Sequence, residues 1–145
     1  VGSLFTEGDQ FGRMMSVDFE SDDRVMMLIG FNDMALFGED PSHLSVFRAR
    51  LKSAILRVSP LVTSVTIGTC LTPPKWTSLA SPEAVALYRQ VTREVVAELN
   101  RPNVSVTEVD GAFEGQPSAY VSDQWHMNLE SQESVAKVML SAELK

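Results

Sequence analysis

Arg24-Val-Met-Met-Leu-Ile29 runs straight into Gly30-Phe31-Asn32-Asp33. Every side chain from Val25 to Ile29 is apolar, and the run stops at a glycine. A run this short and this continuous fits a strand buried on both faces, the form that strands take in a parallel sheet covered by helices. Residues 61–69 (LVTSVTIGT) are β-branched and read as a second strand. Residues 104–109 (VSVTEV) alternate and end at Asp110-Gly111, a turn pair. Residues 1–5 (VGSLF) form a weaker strand candidate.

Helices lie between and after these strands. Asp40-Pro41 and Ser81-Pro82 each set a capping residue before a proline at the first helical position. The first helix carries Leu44, Phe47, Leu51, Ile55 and Val58 on one stripe; the second carries Ala84, Tyr88, Val91, Val95 and Leu99. His43, in the first turn of the first helix, reads as a surface residue. Asn128 can cap a last helix whose buried face would be Val135, Val138, Met139 and Ala142. This alternation predicts an α/β protein: a three-layer α/β/α sandwich, flavodoxin-like, with a mainly parallel sheet. Residues 1–145 read as a single domain, since no repeat or low-complexity stretch interrupts them.

With 44% apolar residues the chain can bury a substantial core. The net charge of -7 and the lack of a Lys/Arg cluster argue against a nucleic-acid partner. The apolar runs are too short for a bilayer, so no membrane partner is expected. The single cysteine, Cys70, reads as a small core residue. Two histidines far apart and one cysteine match no usual ligand spacing, so no metal site is expected; nor is an organic cofactor. The methionines read as core filler. Trp76 and Trp125 are candidates for the rim of a crevice.

In a parallel sheet ligands gather at the carboxyl ends of the strands. Two segments fall there. In Asp123-Gln124-Trp125-His126, a spacing of three lets the carboxylate orient the imidazole and steady its protonated form; a loop histidine beside a solvated acid has the same spacing. In Gly30-Phe31-Asn32-Asp33 the Asn32 amide could stabilise an oxyanion, an effect worth about 3 kcal/mol in a preorganised site. The same residues also suit a simple turn.

Taken together the segments are more specific. Leu28-Ile-Gly-Phe-Asn-Asp33 resembles the G-x-N-D block of the SGNH (GDSL-type) hydrolases, and Asp123-Gln-Trp-His126-Met-Asn128 resembles their D-x-x-H-x-N block. Ser131 stands where that family usually has glycine. The resemblance is most specific from Arg24 to Ala136. It implies His126 as general base, Asp123 as its orienting acid and Asn32 as an oxyanion donor. Glu7-Gly8-Asp9-Gln10-Phe11-Gly12 resembles the family's E-G-x-x-G block with one residue more between the glycines, with Gly12 rather than Gly8 as the second donor. The implied substrate is a small acyl or acetyl ester of a small molecule or carbohydrate, cleaved by Ser-His-Asp chemistry.

The family's G-D-S block has no counterpart. Gly2-Ser3-Leu4 lacks the aspartate and lies too near Asn32, so residues 1–5 read as the second strand of the fold, with the first, central strand missing. In the order 2-1-3-4-5 its loss would leave two strands with unpaired backbone groups, each costing about 1–3 kcal/mol. The expectation is a natural product extending upstream by a strand and a G-D-S loop. A non-catalytic binding module of the same fold is the alternative. A flavodoxin-like nucleotide binder lacks a glycine-rich fingerprint.

Overall fold

The structure, a computed structural model, describes residues 10–109 and 126–143. The strand expected over residues 1–5, the Asp110-Gly111 turn, Ser3, Gly8, Asp123 and Trp125 lie outside the described residues. The elements run α1 (Gln10–Met15), β1 (Arg24–Leu28), α2 (Phe31–Phe37), α3 (Pro41–Val58), β2 (Ser64–Gly68), α4 (Pro82–Leu99), β3 (Val104–Thr107) and α5 (Leu129–Glu143).

The three strands form a parallel sheet in the order β1-β2-β3, with Arg24 opposite Ser64 and Val65 opposite Val104. Two successive crossovers that move the same way across a sheet, each right-handed, put their helices on one face. Thus α3 and α4 pack together, α4 lies against β3, and α5 covers the other face along β2 and β3. The layers are those expected of a three-layer α/β/α protein.

Local chemistry explains the helix starts. Asp40 accepts from the Ser42 and His43 amides at 2.8 and 3.4 Å. Its carboxyl pKa is held below the ordinary value first by the Ser42 hydroxyl and then by these amides. Ser81 accepts from the Ala84 amide at 3.0 Å, and Asn128 from the Ser131 amide at 2.9 Å. Each cap satisfies a backbone N–H that the first turn leaves without a partner. The buried stripe of α3 is His43, Phe47, Leu51, Ala54, Ile55 and Val58. Of these, Phe47, Leu51, Ile55 and Val58 join Val65 and Ile67 of β2 and Tyr88 and Val95 of α4 in one hydrophobic core. Cys70 is buried, as its sequence context predicts.

Three expectations need correction. β1 is not buried on both faces: Met26 is 41% exposed and Leu28 half-buried, so one face borders a cleft instead of a full helix layer. Met26 therefore does not fill the core. Residues 31–33 are not a turn but the first turn of α2; Gly30, at φ 96°, reverses the chain and serves as N-cap with no side-chain cap. His43 is not a surface residue. It is 3% exposed and its Nε2 lies 3.4 Å from Oδ1 of the fully buried Asp33. Membrane crossing is not supported by any described helix, since none is long and apolar enough.

Candidate functional site

β1 delivers its chain to the site through Ile29 and Gly30. The left-handed turn at Gly30 starts α2 at once, so Phe31, Asn32 and Asp33 form its first turn. Phe31, Asp33 and Met34 are buried, whereas Asn32 is only half-buried. The amide of Asn32 is thus carried on a helix whose neighbouring side chains are anchored in the protein interior. α2 rests against both α3 and α4.

His126 comes from the other side of the chain's path. Two contacts fix the backbone just after it. The Gln132 side-chain Nε2 donates to the Met127 carbonyl at 2.9 Å, and Asn128 caps α5. Met127 itself is buried, while His126 is exposed. His126 borders a cleft of about 320 Å³ that Met26 and Leu28 of β1 line together with Val135, Ala136 and Met139 of α5. Leu28 is the last residue of β1, and Asn32 follows it by four positions. The cleft is mostly apolar in character, as ligand sites usually are.

Gly12 is the third residue of α1, a short helix packed on α3. Asp123 lies outside the described residues. Among the described residues no cluster of three or more His, Cys, Asp or Glu side chains could hold a metal ion. The loop after β2 is pinned from α4, where Arg89 donates from Nε to the Cys70 carbonyl at 2.8 Å and from Nη2 to Thr72 Oγ1 at 3.0 Å. Trp76, further along that loop, is 47% exposed.

The buried pair of Asp33 and His43 escaped the sequence reading, yet a signal for it was present. The four-residue step that links Phe47, Leu51 and Ile55 extends back to position 43. Beyond the pair, burial first and the charge of Asp33 second push the Tyr88 hydroxyl pKa well above the ordinary tyrosine value.

Comparison with known proteins places this arrangement among hydrolase folds. No family model matches the chain. No curated protein matches it either. An alpha/beta hydrolase enzyme from the metagenome of Lake Arreo, Spain, superposes with a TM-score of 0.62 at 22% identity, over 83% of this chain and 59% of that one. A catalytic mutant of an acetylxylan esterase from Geobacillus stearothermophilus gives a TM-score of 0.62 at 21% identity, over 82% and 58%. The acetylxylan esterase without that mutation gives 0.59 at 22% identity over the same shares. This chain therefore spans under three-fifths of the length of the solved structures it resembles. The fold is that of these α/β hydrolases.

Proposed function

We propose that the chain carries the acid–base and oxyanion half of a serine ester hydrolase of the SGNH type. His126 is the general base, Asp123 orients it, and Asn32 with Gly12 receives the oxyanion. The substrate is a small acyl or acetyl ester of a small molecule or carbohydrate. The single observation that carries this reading is the position of His126, exposed on a mostly apolar cleft beside Leu28, at the end of the strand that leads to Asn32. The esterase fold of the solved neighbours supports it.

In this reading a serine hydroxyl passes its proton to His126 as the oxygen attacks the ester carbonyl. The alcohol leaves with that proton, and His126 then activates water against the acyl-serine. Two amide donors aimed at the developing negative charge lower the barrier in both halves. No G-D-S block occurs in residues 1–145, and none of their serines is assigned as the nucleophile.

The test is hydrolysis of p-nitrophenyl acetate by the full-length protein. His126→Ala is expected to lower kcat by about a thousandfold or more. Turnover unaffected by His126→Ala would overturn the assignment. Absence of turnover in a folded full-length protein, with retained binding of an acetylated sugar, would make the fold a binding module.

A further inference from the structure

We infer that His43 is a positioning residue, a buried clamp that sets the rotation of α2 and so aims the Asn32 amide. The inference rests on the ester-hydrolase reading for its catalytic consequence, but its structural part stands alone. Asp33 and Phe37 are four residues apart on α2 and thus lie on one face of that helix. Both grip the same ring. His43 Nε2 is 3.4 Å from Asp33 Oδ1, with the side chains 3% and 0% exposed. The His43 imidazole also stacks on the Phe37 ring, with centroids 3.5 Å apart and planes 12° from parallel.

Two contacts, one at each end of a seven-residue helix, fix how that helix is turned about its axis. They add to the burial of Phe31 and Met34, which anchors the same helix in the core. Successive helical residues are about 100° apart, so Asn32 moves with any rotation that Asp33 undergoes. Nothing in the cap supplies this restraint, because Gly30 offers no side-chain hydrogen bond to the helix start. His43 is in turn held by α3, whose first turn is tied down by Asp40. The arrangement runs from the α3 cap through the imidazole to the helix that bears the oxyanion donor. His43 acts through α2 and is itself buried among protein groups, so it is not placed against the substrate.

Two variants of the full-length protein separate the contacts. In His43→Gln the amide can still offer an N–H to Asp33 but gives no ring to Phe37. In Phe37→Leu only the stacking partner is lost. The Asn32 side-chain ¹H–¹⁵N signals are expected to shift in both variants. With p-nitrophenyl acetate, kcat should fall about tenfold while KM stays within about twofold, the pattern of a misaimed donor. In an Asn32→Ala background the same changes should alter kcat by less than about twofold, since the group they act through is gone.

An unmoved Asn32 signal in a folded variant overturns the clamp. So do kcat losses that multiply with that of Asn32→Ala. If His43→Gln does not fold, Phe37→Leu reads the same quantities. A full-strength kcat in Asn32→Ala alone would instead sink the ester-hydrolase reading, and the NMR shift would still decide the clamp.

Discussion

Arg89 Nε donates to the backbone carbonyl of Cys70 at 2.8 Å, joining the middle of α4 to the buried loop that leaves β2. Its Nη2 reaches Thr72 Oγ1 at 3.0 Å, so one guanidinium holds two points of that loop. Cys70, Leu71 and Thr72 are all buried, so both bonds are made away from bulk water. Arg89→Met keeps much of the stem but removes both bonds. It should lower unfolding free energy by about 1–3 kcal/mol, the usual scale for losing buried hydrogen bonds from a charged donor. Urea unfolding measures this, and an unchanged midpoint would refute it.

Gly30 stands at φ 96°, a backbone region that side chains rarely enter. A Cβ there would also meet Phe47 Cζ at 3.1 Å and Tyr88 Cδ1 at 3.6 Å, both in the core. Gly30→Ala therefore combines backbone strain with overpacking against two rings. A loss of about 1–3 kcal/mol is expected, read as a lowered Tm. A variant as stable as the parent would show that the turn into α2 is not strained by a side chain.

Parts of this fold were legible because their signals are local. Asp40-Pro41 and Ser81-Pro82 announce α3 and α4, and the helices begin at Pro41 and Pro82. Asn128 marks the start of α5 in the same way. α2 sends no such signal: its cap is a bare glycine, and Phe31 continues the apolar run of the preceding strand. The step of four in α3 reaches His43, but its partners Asp33 and Phe37 sit on another helix, which an apolar period does not count. The exposure of Met26 is likewise decided by what covers the sheet face. Of the proposed site residues, Asn32 and His126 are legible as motif positions. The helix that carries Asn32 was not.

The Tyr88 hydroxyl is buried and, among the described residues, finds no hydrogen-bond partner. The ring itself packs edge-on against Phe47, with centroids 4.9 Å apart. Tyr88→Phe keeps that packing and removes a desolvated polar atom. Stability should hold or rise, by up to about 1 kcal/mol. A clear loss in calorimetry would mean that the hydroxyl is bonded in the folded protein, against this expectation.

The outer faces of α3 and α4 are joined by Arg48 to Glu94 and Glu98, and by Lys52 to Glu98. The Glu98 carboxyl is held below its ordinary value of 4.5, first by the Lys52 hydrogen bond and then by that cation's charge. Glu94 is lowered too, first by Gln90 and then by Arg48. A folded pKa below the unfolded one means that the unfolded chain binds more protons between the two values, so stability rises with pH across that window. The contribution is fully present above about pH 4.5 and is lost as pH falls through the folded value. In Glu98→Gln the Tm deficit relative to the parent should therefore be largest near neutral pH and shrink below about pH 4.5. Raising salt at neutral pH should shrink it as well, because these side chains are exposed and screened. A deficit independent of both pH and salt would show that the charges of this network do not contribute to folding.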